Sequence, residues 1–331
     1  MRGGSEHASD GNDATPGDEV TLPQASLAPF RRLSLYNSPY PAHDRGHAID
    51  LYPDSNVGVS PIAGEVLSTR TVRTPEKSYA AEHDHLILVA CDDDWCAAAG
   101  VDRVVARVLH VDPAVEAGDR VAVGDSLGEM VRSGFFAPWV DNHVHLGFRT
   151  RGQNLHRASG SLPLSLPIEP TPLAWDGTGT VVETGGTYVV LDAPAHPGAE
   201  TGWCGLGVDD TADGGVDAGP DGGVGSRAGR DSPLDRGVLD GGLPHYDGGG
   251  LLGSTGPESD RGSTVSLLGC VVGDHRGRTV TWRDVTVEVN GRPAVGLSLF
   301  LAREGPAGVK VVCPDHDFER GDDIEVRVVS S

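Results

Sequence analysis

Residues 140–148 read Val-Asp-Asn-His-Val-His-Leu-Gly-Phe, and from His143 the chain alternates between apolar residues and others. A period of two belongs to a β-strand, whose residues two apart project from one face. His143 and His145 therefore leave such a strand side by side. The neighbouring apolar runs are equally short: AIDLY (48–52), GEVLST (64–69), HLILVA (85–90), RVVARVLHV (103–111) and RVAVGD (120–125). Each is bounded by Gly, Pro or Asp, the residues that break regular structure and make turns. Only DWCAAAGVD (94–102) reads as a short helical turn. An all-β domain is expected over residues 27–168.

Farther out, the texture changes twice. Residues 1–26 are rich in Gly, Asp, Ser and Pro and read as a disordered acidic tail. Residues 169–331 return to strands, with TGTVVETGGTYVVLD (178–192) as a candidate hairpin and Asn290-Gly291 as a two-residue hairpin turn between apolar runs. A Gly/Asp-rich stretch at 209–242 interrupts them; its composition buries too little apolar surface to offset chain entropy, so a disordered insertion is expected. This second unit reads as a β-rich accessory domain without evident chemistry.

The formal net charge of −22 repels nucleic acid and anionic membrane surfaces. Lys77 and Lys310 are the only lysines, and so Asp-rich a surface suits concentrated salt, where screening removes the cost of self-repulsion. No apolar leader or membrane-length run is visible, which gives a cytoplasmic expectation. The five cysteines are scattered and odd in number, and read as reduced thiols rather than a disulfide scaffold; Cys91 and Cys96 alone are close enough in sequence for a local bridge or a metal.

The chemistry gathers around the paired histidines. Asp50 lies between Ile49 and Leu51 in an apolar strand, where a carboxylate must be paired, hydrogen-bonded or metal-bound. His110 ends the run RVVARVLHV and is followed by the glycine-punctuated hairpin VEAGDRVAVGDSLG (115–128). A second pair, His83-Asp84-His85, opens the strand HLILVA and reads as a solvated strand end.

In this order, the segments HAIDLYPDSNVGVSPIAGEV (47–66), VLHV (108–111), VEAGDRVAVGDSLG and HVHLGFR (143–149) resemble the M23, or lysostaphin-like, zinc metallopeptidases, over roughly residues 28–150. The resemblance implies a β-sheet and barrel-sandwich hybrid fold, the duplicated hybrid motif, ahead of the accessory domain. It implies Asp50 and His145 as zinc ligands, with His110 and His143 as catalytic histidines. For the third ligand the family has histidine four residues before the aspartate, where this chain has Gly46; His43 and His47 are the candidates. Strand parity would turn His47 to the opposite face from Asp50, which favours His43.

Two histidines and one aspartate leave an open position on tetrahedral zinc, as catalytic sites require. The implied reaction is attack of metal-activated water on a peptide or amide carbonyl. Val108 stands where the family has tyrosine, Gly147 where it has glutamate, and residues 91–102 enlarge a loop. These departures keep open a catalytically inactive, zinc-binding relative acting as a binding module. The hairpin also resembles biotinyl and lipoyl carriers, whose lysine is missing from its tip, and a phosphohistidine carrier would need His110 and His145 facing each other without metal.

Overall fold

The structure is a computed structural model that describes residues 19–208, 237–253 and 263–331. It is all-β, with 48% of residues in strands against 6% in helices. The largest element of the first half is a ten-stranded sheet curled into a half-barrel. At its centre Ala48–Tyr52, Val144–Thr150, Val104–Leu109, His83–Cys91 and Gly64–Arg73 lie side by side, all antiparallel. One face carries Ile49, Leu51, Ile87, Val89, Ala106, Val108, Val144, Leu146 and Phe148 into the main core. A three-stranded sheet of Val57–Val59, Ser126–Met130 and Val111–Pro113 adds Val111, Leu127 and Met130 to that core. By the two-residue period, the other face carries Asp50, Arg107, His143, His145 and Gly147.

The second half builds a twelve-stranded sheet around Val181, Leu239, Val272, Leu297 and Val311. The Asn290-Gly291 turn is present between Val285–Val289 and Arg292–Pro293, with both turn residues at positive φ (47° and 74°). The halves are not independent. Leu301–Ala302, from the second half, pairs with Arg32–Ser34, and Thr171–Leu173 and Cys204–Leu206 extend the same sheet. All five cysteines are unbridged thiols.

Two expected boundaries move. The tail expected at 1–26 ends earlier: residues 1–18 lie outside the described residues, but Val20–Thr21 pairs with Leu164–Ser165 and Gln24–Leu27 forms a helical turn. Val20, Leu22 and Leu27 are buried there, so three apolar anchors decide what the average composition obscured. Of the insertion expected at 209–242, residues 209–236 lie outside the described residues, while Val238–Leu243 is a buried strand. Its glycines serve packing: a Cβ on Gly241 (φ 132°) would stand 2.8 Å from the Gly249 Cα.

Candidate metal centre

Register puts Asp50 opposite His145 on adjacent strands. Their side chains meet, with His145 Nδ1 2.9 Å from Asp50 Oδ1. His43 reaches the same point from the helical turn Pro41–Asp44. The turn closes at Gly46, whose φ of 61° is left-handed and whose Cβ would stand 2.7 Å from the Tyr36 hydroxyl. A histidine at position 46 would be strained and obstructed, so the sequence offset at this position has a steric cause. His43 Nε2 lies 3.2 Å from His145 Nδ1 and 3.4 Å from Asp50 Oδ1. A tetrahedral zinc with ligands about 2.0–2.1 Å away holds its donors roughly 3.3 Å apart, close to these separations. His43, Asp50 and His145 thus form a candidate metal-binding triad. His47 stands apart, its Nδ1 3.0 Å from the Ser161 carbonyl.

Tautomers sharpen the fit. His43 Nδ1 donates to the Leu35 carbonyl at 2.6 Å, and His143 Nδ1 donates to the Asp141 carbonyl at 2.9 Å. In the neutral rings, both Nε2 atoms then present lone pairs. Those atoms lie 3.4 and 3.3 Å from the same oxygen, Asp50 Oδ1. Lone pairs aimed at a carboxylate repel it unless a proton or a cation sits between them. With that proton in place on His143 and His43, their charges and the hydrogen bonds of His143 and His145 outweigh burial, which pushes the Asp50 carboxyl up, and hold it well below the usual range. Burial lowers His145 to about 4, keeping it neutral near pH 7 as a metal ligand requires.

His110 stands at the break between Val104–Leu109 and Val111–Pro113 with φ 71°, an uncommon conformation for a non-glycine residue. Its ring centre is 5.1 Å from that of His143 and 5.6 Å from that of His145. Its Nδ1 donates to Asp84 Oδ2 at 2.5 Å, leaving Nε2 for the site. Asp84 is fully buried and also accepts from Ser133 Oγ and from the backbone amides of His85 and His110. Burial alone would raise its carboxyl; His110 and these hydrogen bonds lower it to about 2. The solvated-end reading of His83-Asp84-His85 therefore fails for the aspartate. Parity was the missed signal, since Asp84 shares its face with Leu86 and Leu88 while Ile87 and Val89 face the core.

The second half also holds the site. Asp240 accepts from Ser34 Oγ and from the backbone amides of Leu35 and Tyr36, fixing the segment whose Leu35 carbonyl orients His43. Burial drives the Asp240 carboxyl up to about 7 against those hydrogen bonds. Tyr246, just beyond the same strand, joins Tyr40, Leu109, Phe136 and Val140 in lining a cavity of about 210 Å³ over the triad.

Residues 21–166 match the family described as the domain of unknown function (DUF8155) N-terminal domain, and residues 171–329 match the DUF8155 C-terminal domain. No curated protein matches the chain. Among the described residues, no helix is long and apolar enough to cross a membrane.

Proposed function

We propose that the protein is a zinc-dependent peptidase or amide hydrolase of M23 type, with the metal held by His43, Asp50 and His145. The observation that carries this reading is the convergence of His43 Nε2, His145 Nδ1 and Asp50 Oδ1, three donor atoms 2.9 to 3.4 Å apart that a cation would hold together. A bound zinc would polarise the scissile carbonyl and bring the pKa of its water near 7. The protein supplies the rest. His110, steadied by Asp84, offers Nε2 to take a proton from the attacking water, and His143, steadied by the Asp141 carbonyl, stands beside it with ring centres 5.1 Å apart. Water's oxygen joins the carbonyl carbon, the C–N bond breaks, and the proton passes to the departing nitrogen. The apolar cavity wall limits competing water.

Purified protein is expected to hold about one zinc per chain, lost in Asp50→Ala and His145→Ala. His110→Ala and His143→Ala should keep the zinc while hydrolysis of a peptide library, assayed in high salt, falls about a hundredfold or more. Zinc surviving both ligand substitutions would overturn the ligand set. Zinc-loaded wild type that cleaves no peptide or amide would leave the inactive, metal-binding module in its place.

A further inference from the structure

Arg107 sits on the Val104–Leu109 strand, paired in register with Leu88 on one side and Gly147 on the other. It is only 5% exposed, yet it lines the cavity over the triad together with Ala158 and Ser159. Among the described residues its one hydrogen bond runs from Nε to the Leu155 carbonyl, and no carboxylate pairs with it. Apolar residues Leu86, Leu88, Val105, Leu109 and Leu155 cluster on this face. Burial, with repulsion from Arg149 added, lowers Arg107 to about 10. An uncompensated buried guanidinium costs stability, and an anion brought to it would recover that cost. Leu109 pairs with His145, so Arg107 stands two residues along, about 7 Å from the triad at the usual strand rise. One or two residues of extended chain cover that distance.

We propose that Arg107 binds a substrate carboxylate, so that the enzyme acts on short peptides or amides whose free C-terminal carboxylate lies within one or two residues of the scissile bond. The guanidinium's planar fork matches a carboxylate with two parallel hydrogen bonds. The cavity lined by Tyr246 and Phe136 suits a compact acyl donor and an apolar side chain. This substrate class rests on the hydrolase reading above, but the carboxylate site itself does not.

The test is therefore a binding measurement: calorimetric titration of 3-phenylpropanoate and its carboxamide into zinc-loaded and metal-stripped protein. Wild type should prefer the acid by about tenfold or more in both forms, the scale of a charge-assisted hydrogen bond. Arg107→Gln should abolish the preference, Arg107→Lys should retain part of it, and zinc content should stay unchanged in both. Because the charge is uncompensated, Arg107→Gln should melt no lower than wild type. An acid preference that persists in Arg107→Gln, or that is missing from metal-stripped wild type, would overturn the assignment. So would a lowered melting temperature with the preference intact, which marks a packing residue. Should Arg107→Gln not fold, the acid-against-amide comparison in metal-stripped wild type and Arg107→Lys decides. Preference without hydrolysis of any peptide would refute the hydrolase reading and leave the carboxylate site standing.

Discussion

Asp50 and Asp141 are each ringed by nitrogen bases, and Asp141 lies only two residues before His143. Around Asp50 stand His43, His143 and His145, all within 3.4 Å of one oxygen. Around Asp141 stand Arg32, whose Nη2 is 2.5 Å from Oδ2, and Lys310, whose Nζ is 2.7 Å from the same atom. The two clusters look alike as charge arrangements and differ in their orbitals. An imidazole whose N–H is spent on a carbonyl still has a lone pair, whereas guanidinium and ammonium groups have none. The first cluster can hold a metal; the second can only compensate charge. Its job is mechanical, since Arg32 comes from the first half and Lys310 from the Val309–Val312 strand of the second. It also fixes the loop whose Asp141 carbonyl sets the His143 tautomer. A buried acid among bases is thus not a metal site until the bases' remaining protons are accounted for.

Breaking the second cluster from either side should give unequal results. Burial alone would raise Asp141, but Arg32 and Lys310 together hold it well below the usual carboxylate range. Burial lowers Lys310 to about 8 despite Asp141. Asp141→Asn leaves two enclosed cations and should cost about 3 kcal/mol, the lower end for a broken buried pair because the Asp141 side chain is 36% exposed. Lys310→Met leaves the Arg32–Asp141 pair and an apolar stem, and should change stability by less than about 1 kcal/mol. Denaturant unfolding of both variants checks the asymmetry; equal losses would make Lys310, one of only two lysines in the chain, a structural necessity.

The next effect concerns Asp84, the acid that serves His110. Its folded-state value of about 2 lies below the 3.8 of a free aspartate. A depressed carboxylate stabilises the fold above its unfolded value and loses that contribution as pH falls through the folded one. Asp84→Asn should therefore be less stable by about 2 kcal/mol from neutral pH down to about 4, and the gap should close between about 4 and 2. A gap that stays constant down to pH 2 would assign the loss to packing rather than charge.

How much of this was legible before the fold follows from the range of each interaction. Asp50 and His145 sit in strands whose period of two displays their faces, His143 stands just before the Val144–Thr150 strand and keeps its period, and the pairing of neighbouring strands does the rest. Asp84 was equally legible by parity, but its polar neighbours His83 and His85 drew it into a solvated reading. His43 depends on a turn at Gly46 and on a carbonyl at Leu35, neither of which has a period. Asp240 and Tyr246 were hidden more deeply, because the Gly/Asp-rich text around 237–250 reads as loop until Trp282 is seen packed against Gly249. Arg107 was visible only as one basic residue in an apolar strand; that no carboxylate among the described residues pairs with it is a property of the folded surroundings.

The smallest effect draws the line between two histidines four residues apart. His43 and His47 each place Nδ1 on a backbone carbonyl, Leu35 for the first and Ser161 for the second. Only His43 then turns Nε2 toward Asp50. The strand parity that disfavoured His47 is not what excludes it, since the strand begins at Ala48 and His47 belongs to the turn, its amide donating to the Ala42 carbonyl. Burial lowers His47, with the Ser161 carbonyl opposing. His47→Ala should leave zinc affinity unchanged and cost about 1 kcal/mol, the net worth of one hydrogen bond. His43→Ala should weaken zinc binding severely in the same competition assay. If His47→Ala loses the metal and His43→Ala retains it, the third ligand moves, and the lone-pair argument at Asp50 loses one of its two arms.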